Sequence, residues 1–383
     1  MISEIPGHEV PILPIGDGNI PLFIPEIPES AIDEVATTLS SRWIGQGPKV
    51  DLFEKEFAAL IGNVNPGIAV GSGTDALHLA YLLAGIKADD EVLTPVFTCT
   101  ATNIPLLYIG AKPVFVDVDP KTLNIDVSHA RKMISKNTKA IICVHYGGLA
   151  CDMDEIQELA DEFGIPVIED AAHAVGAKYK SRNVGSISDF TMFSFQAIKH
   201  ITTGDGGFLT FKNEELLEKA KRLRWFGIDR SAKQLGVWEN DILDVGYKYQ
   251  MTDLGASIGL ASIKQFESVL ALRRSLLHRY YEKLSENPKI NILGRETPDL
   301  YHAAWLFTIR VTDRRELQAK LLAHGIESNQ VHYRNDRYSI FSIAKLDLPN
   351  MDEIEDEYLV LPLHTKMNLE DVDRICHVIN SGW

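Results

Sequence analysis

Four cysteines in 383 residues are too few and too scattered for a disulfide framework. Cys99, Cys143, Cys151 and Cys376 form no CxxC pair, so no metal site is expected. Long apolar runs are missing as well. A membrane span needs roughly 18 or more consecutive apolar residues, and the chain has no such stretch. After Met1 comes the Pro-rich run Ile2–Asp17, which lacks the basic patch and apolar segment of a secretion signal. A cytosolic protein is expected. Positive charge is scarce: 38 Lys and Arg stand against 53 Asp and Glu, for a net charge of −15. Such a field repels nucleic acid and anionic lipid, so neither is expected as a partner. Solubility accounts for the acidity as a whole, and a phosphate-bearing ligand would need a locally built site.

What is present points to a large core. Hydrophobic residues make up 45% of the chain. Glu91–Leu93, Pro113–Val118, Ala140–Val144 and Pro166–Glu169 read as buried strands, with Cys143 in the core. Between them lie amphipathic stretches, Thr74–Leu83, Ser128–Ile134 and Asp152–Phe163. This alternation predicts an α/β fold with a mostly parallel central sheet between helices. Phe190–Phe195 and Gly207–Phe211 add two strands joined by a Gly-rich turn. From about Asp253 the pattern changes. Leu254–Leu284 reads as one long helix, Ala304–Val311 as a strand, Glu316–His324 as a helix closed by Gly325, and Leu369–Ile379 as a last helix. The expected organisation is an irregular arm over 1–24, a large domain over 25–252, and a linking helix with a small α+β domain over 253–383.

Three motifs carry chemistry. The first is Ser194-Phe-Gln-Ala-Ile-Lys199, followed by Gly204-Asp-Gly-Gly207. A lysine between a strand and a Gly-rich turn can be desolvated, which lowers its pKa and frees the amine to attack an aldehyde. Ser194 could serve a phosphate beside it. The alternative is a hairpin with a solvated lysine. The second motif is Ile165-Pro-Val-Ile-Glu-Asp170-Ala-Ala172-His173, a strand ending in an acid where open α/β sheets bind ligands. Strand periodicity puts Asp170 and the small Ala172 on one side. An isolated acid there could instead cap the next helix. The third is Val70-Gly-Ser-Gly73-Thr74-Asp75, a helix start whose N–H groups and dipole favour phosphate. Asp75 could equally be an ordinary first-turn charge.

Together and in this order, these motifs resemble those of the DegT/StrS-type sugar-nucleotide aminotransferases. That family belongs to the fold type I, aspartate-aminotransferase-like pyridoxal-phosphate (PLP) enzymes. The resemblance extends to Arg42-Trp43-Ile-Gly-Gln-Gly47, Val144-His-Tyr-Gly147, Gly246–Asp253 and the His332-Tyr333 pair. It implies that Lys199 carries PLP as a Schiff base and that Asp170 pairs with the ring nitrogen, keeping it protonated so that the ring accepts electrons. It also implies that Ala172 lets the ring lie flat, that His173 sits near the ring hydroxyl, and that Gly73, Thr74, Asp75 and Ser194 bind the phosphate. The family is dimeric, with each site at the subunit interface, and moves an amino group from glutamate to a keto sugar on a nucleotide.

The sequence departs from the family pattern at three positions. Cys99 falls where an aromatic usually stacks on the ring; a thiol is a small polarisable surface that can pack there, and either Phe97 supplies the stack or the cofactor is held less firmly. Lys248 stands where the partner subunit usually offers Asn to the phosphate, and Gln250 replaces a common Arg. Sugar recognition is expected from Arg42–Gly47, Ile228–Glu239 and Gln330–Tyr338, with Trp43, His332, Tyr333 and Arg334 as the contacts and Arg337 beside them. Two other functions compete: a non-catalytic regulatory or scaffold protein, and a PLP-dependent sugar dehydratase. The intact Lys199 and Asp170 speak against the scaffold, and Lys199 against the dehydratase, since relatives of that kind carry His in its place.

Overall fold

The computed structural model describes residues 13–383, apart from 17, 63–64, 231, 233–235, 240 and 342–344. Seven strands form the central sheet, in the order Gly67–Val70, Gly207–Phe211, Phe190–Ser194, Val167–Asp170, Thr138–Val144, Glu91–Pro95, Lys112–Val116. From Phe190–Ser194 onward neighbouring strands run parallel. Gly207–Phe211 is antiparallel to both its neighbours. The near-continuous apolar run of Ala140–Val144 suits a strand covered on both faces. Its side chains divide by strand periodicity. Ile141 and Cys143 enter the apolar cluster on one face, Ala140 and Ile142 the cluster on the other. The strand Gly67–Val70 was not visible in the sequence, because four residues give too little pattern to separate a strand from a turn.

The link between Phe190–Ser194 and Gly207–Phe211 is not a tight turn. Residues 195–206 loop out at the end of the sheet, and Lys199 lies within them. The long helix runs over Asp253–Leu284, one residue earlier than expected, with the Thr252 hydroxyl accepting the Gly255 N–H at 3.1 Å. Asp253 also accepts the N–H groups of Gly47 and Val50, tying this helix to the start of the helix Pro48–Leu60. Beyond it, Asn291–Leu293, Phe307–Arg310 and Tyr358–Leu361 form an antiparallel sheet. The helices Arg314–Ala323 and Leu369–Asn380 contribute to the same apolar cluster.

The expected strand Ala304–Val311 is shorter at both ends, running over Phe307–Arg310. Ala304 takes φ +56°, and the N–H groups of Trp305 and Leu306 both donate to the Gly147 carbonyl, at 3.0 and 2.9 Å. Of the expected arm, residues 1–12 lie outside the described residues. Leu22 N–H donates to Glu327 at 2.8 Å, and Ile20 bridges to Ile326. Among the described residues no helix is long and apolar enough to cross a membrane.

The structure corrects one expected sugar contact. Arg334 has 0% exposure. Its guanidinium donates to both oxygens of Asp336 at 2.7 Å, to Asp352 and to the Leu346 carbonyl. No face remains for a ligand. The sequence showed a cluster of charge but not the carboxylates that surround it. Removing one partner of a buried pair typically costs about 3–5 kcal/mol, because the other is left buried and unpaired. We therefore expect Arg334→Ala to lose that much stability by urea unfolding, since the Asp336 side chain is fully buried. A stable Arg334→Ala with weakened sugar binding would restore the sequence-based role.

Candidate active site

Lys199 is half-buried, and its Nζ sits 3.6 Å from the centre of the Trp305 ring. Burial lowers its pKa from the ordinary lysine value to about 7, with Cys99 and Asp170 pulling it up and Arg273 pushing it down. The loop over 195–206 and the Trp305 ring against the amine speak against the solvated hairpin lysine. An amine in this state is substantially neutral near pH 7 and nucleophilic.

Asp170 ends its strand with 4% exposure. One oxygen accepts the Thr102 hydroxyl at 2.7 Å, the other the Ala172 N–H at 3.1 Å. Thr102 is held in turn by a 2.8 Å contact with the Thr98 hydroxyl. Burial raises the Asp170 pKa against these two donors, and Lys199 is close enough to lower it. The strand stops at Asp170, so Ala172 is placed by a turn rather than by strand alternation.

A ring stack closes this region. His173 lies on Trp305 with centres 3.7 Å apart and planes within 13°. Lys199 Nζ is equally near the indole centre, so amine and imidazole occupy opposite faces. His332 lies nearly parallel to His173, with ring centres 5.3 Å apart and planes within 6°, and their Nε2 atoms share a 3.4 Å hydrogen bond. The short strand Tyr333–Arg334 pairs with Phe97–Thr98 and so brings His332 in. Among the described residues His173 Nδ1 is buried without a partner. Trp305 escaped the sequence reading. It looked like one more apolar residue of a strand, and nothing local linked it to a lysine more than a hundred positions earlier.

The helix Gly73–Leu83 starts against Ser194. Its cap, Ser72, accepts the Asp75 N–H at 3.0 Å. A Cβ on Gly73 would stand 3.3 Å from the Ser194 hydroxyl, and one on Gly207 only 2.4 Å from the Ser72 carbonyl. Glycine at both places lets helix start and serine come together as an anion cradle. Burial raises the Asp75 carboxyl to about 6, opposed by Ser72.

The remaining expected residues divide. Cys99 is exposed and interacts electrostatically with Lys199. Phe97 cannot take its place, because it is fully buried between Tyr146 and Tyr358, with ring centres 5.1 and 5.0 Å away. Tyr333 is half-buried beneath the Arg337 guanidinium, 4.9 Å from its ring. Trp43 and Lys248 are not gathered here. Trp43 is 41% exposed and lines another cavity, while Lys248 is exposed beside Phe226, 5.1 Å from its ring. Gln250 bridges to Val70, its side-chain oxygen buried without a partner among the described residues. The expected loop Ile228–Glu239 falls partly outside the described residues.

The large, mostly parallel sheet between helices matches the fold of the PLP sugar aminotransferases. The chain belongs to the DegT/DnrJ/EryC1/StrS aminotransferase family, which matches residues 25–380. The spore coat polysaccharide biosynthesis protein SpsC of Bacillus subtilis is 36% identical, over 94% of this chain and 96% of its own. The sugar aminotransferase CalS13 of Micromonospora echinospora superposes with a TM-score of 0.90 at 31% identity, covering 95% of this chain and 100% of its own. Spr1654 of Streptococcus pneumoniae, in its PMP form, has a TM-score of 0.88 at 32% identity, covering 95% and 98%.

The Lys199 shift has a signed consequence. Its folded pKa, about 7, lies below the unfolded value. Between the two, the unfolded chain holds a proton that the folded chain has released. Stability therefore rises with pH across that window. We expect cofactor-free Lys199→Met to exceed the wild type in stability near pH 7, with the gap closing as pH approaches that of free lysine. Urea midpoints at several pH values test this; a gap that does not change with pH would remove the buried amine as its source.

Proposed function

We propose that this is a PLP-dependent sugar aminotransferase that moves an amino group from an amino acid, L-glutamate, to a keto sugar carried on a nucleotide. The observation that carries the reading is the Lys199 amine, lowered to about 7, beside the buried Asp170 carboxylate. The site suits the cofactor. Gly73, Thr74, Asp75 and Ser194 would hold its phosphate and Asp170 its ring nitrogen. Cys99 and Ala172 would flank the ring, and the unpartnered His173 Nδ1 would meet the ring hydroxyl. When bound, PLP supplies an electron sink for the carbon that loses its proton.

The chain's own groups supply the rest. Lys199 Nζ, neutral near pH 7, takes the proton from the donor's α-carbon and later returns one to the sugar carbon. Trp305 keeps water from one side of that amine. Asp170, held by Thr102 and the Ala172 N–H, would pair with the ring nitrogen and keep it protonated. Glutamate leaves as 2-oxoglutarate, and the sugar carbonyl becomes an amine. His332 and Tyr333 would face the sugar, and Trp43 its nucleotide. The product would be an amino-deoxy sugar for a surface polysaccharide, the setting in which SpsC is named, or for a glycosylated product. We place the reaction in the cytoplasm and assign PLP binding to 25–252, with 253–383 closing over it.

We also propose a homodimer in which Lys248 reaches the partner's phosphate. Phe226, Trp238, Ile242, Leu243 and Val245 expose 44–83% of their surface in the segment leading to Lys248, an apolar patch that favours burial.

Lys199→Ala should lose turnover and the yellow colour of the PLP-loaded protein while keeping its fold. Asp170→Asn should keep PLP but slow glutamate single turnover by about 10²–10³-fold, as for other electrostatic partners. A rate within a few-fold of wild type would remove Asp170 from the chemistry. For the dimer, we expect activity to return when inactive Lys199→Ala and Lys248→Glu proteins exchange subunits. One site of the mixed dimer then carries both defects and the other neither. No recovery despite proven exchange would return Lys248 to its own subunit's site or to none.

A further inference from the structure

The long helix Asp253–Leu284 buries a positive charge that no acid is bonded to. Arg273 lies within it, 3% exposed. Its Nη1 donates to three backbone carbonyls: Leu363 at 2.8 Å, Ala304 at 3.3 Å and Trp305 at 3.5 Å. Among the described residues its Nε is buried without a hydrogen-bond partner, and those three carbonyls are its only acceptors. Burial pushes its pKa down to about 10 and Glu26 draws it up, so it stays protonated at neutral pH. Glu26 is itself engaged elsewhere, with the Thr365 hydroxyl at 2.6 Å and Lys366 at 2.8 Å. Burying a guanidinium on these terms is costly, and apolar side chains of similar size often serve such a place as well or better. Stability alone therefore does not account for an arginine here.

Its place is informative. Two of the carbonyls it holds belong to the segment 303–305, which grips the lysine loop on both sides of Lys199. Trp305 Nε1–H donates to the Ile198 carbonyl at 3.2 Å, and His200 Nε2–H donates to the Ala303 carbonyl at 2.6 Å. The Trp305 ring lies 3.6 Å from the amine between these two bonds. The groups that bear on Lys199 are Cys99 and Asp170, which favour its protonated form, and Arg273, which opposes it. His173, His332 and His200 also lie near it, and burial keeps each neutral. Arg273 in turn faces Lys199, His200, His364 and Glu26. Burial lowers both of those histidines, and Arg273 lowers them further. An unpaired charge in a poorly polarisable interior acts more strongly than the same charge in water.

We propose that Arg273 tunes Lys199 as a positioning residue: held against the segment that clamps the lysine loop, its unpaired charge opposes a second positive charge on the amine. A carboxylate bonded to the guanidinium would cancel that effect, and carbonyls take the carboxylate's place. Lys199 is thereby kept neutral by two means, the burial that Trp305 supplies and the charge held beneath it. The inference rests on the reading of Lys199 as the reacting amine, and on neither the sugar nor the amino donor.

The test is competitive acetylation of the full chain before PLP is added, with Lys199 followed by peptide mass spectrometry. Its rate at each pH is taken relative to its own rate at high pH, which reads the neutral fraction. Arg273→Met, which fills the space without charge, should cut that relative rate at neutral pH by about 3–5-fold, the effect of losing one nearby like charge. Arg273→Gln, neutral but still a donor, should fall with it and serves if the Met variant does not fold. Arg273→Lys keeps the charge and should restore most of the loss. Urea midpoints measured alongside separate tuning from stability. A folded neutral variant with the wild-type acetylation profile, whatever its urea midpoint, makes Arg273 purely structural and overturns the proposal. Equal shifts in all three variants would assign the effect to the shape of the side chain and overturn it too. A wild-type Lys199 that reacts like a free lysine would overturn the reading of the buried amine and this proposal with it.

Discussion

Burial is the largest cause that takes the Lys199 amine down to about 7, and several distant segments combine to supply it. The amine does not shield itself. It hangs on a loop at the end of the sheet, and its cover is Trp305, from a segment beyond the long helix. That segment is fixed at several points. Ala303, Trp305 and Leu306 donate to the carbonyls of Gly147 and Gly148, and the Ala303 carbonyl accepts His200 Nε2–H at 2.6 Å. Gly148 must be glycine, since its φ is +104° and a Cβ would stand 2.9 Å from the His173 carbonyl. Arg273, 3% exposed, donates to the carbonyls of Ala304 and Leu363 from below.

The same logic explains what could be read from the sequence. Lys199, Asp170 and the start of the Gly73 helix were legible because each is defined locally, by a strand end or a helix start. The parallel strands were legible because burial on both faces leaves an apolar run such as Ala140–Val144. Trp305 was not, because its meeting with Lys199 depends on tertiary closure. Arg334 misled for the opposite reason. Charge near His332 suggested a ligand, but burial had already matched that charge with Asp336 and Asp352. Phe97 and Cys99 show the same limit at short range. Two positions apart, one is sealed between tyrosines and the other faces outward.

Beneath the site a second layer holds the carboxylate end of the sheet. His145 Nδ1 accepts the Cys151 N–H at 3.1 Å, so the proton sits on Nε2, which donates to Glu169 at 2.8 Å. Glu169 also accepts from the Ser188 N–H and the Thr191 hydroxyl, both at 3.0 Å. Burial alone would raise its pKa, but these donors hold it below the ordinary carboxylate value. The strand that presents Asp170 is therefore anchored one residue earlier by a fully satisfied buried acid. The neighbours differ in degree: Glu169 accepts three hydrogen bonds and lies below the ordinary carboxylate value, whereas Asp170, also with both oxygens engaged, accepts two and has a raised pKa.

Four histidines lie around Lys199 and the segment that carries Trp305, and each is lowered from the ordinary imidazole value. Burial drives His173 and His200 well below the ordinary imidazole range, and takes His332 to about 3 and His302 to about 4. Positive charge on Lys199 pushes His173 and His332 further down, and Arg273 does the same to His200. Imidazoles so depressed stay neutral at pH 7, each with one N–H donor and one acceptor nitrogen. Lys199 is lowered only to about 7. In the reaction we propose, that separation leaves a fixed stack of neutral rings beside the one amine that exchanges protons. It also follows that replacing His332 with Gln, which keeps a neutral donor and acceptor, disturbs the site less than replacing it with a permanent charge.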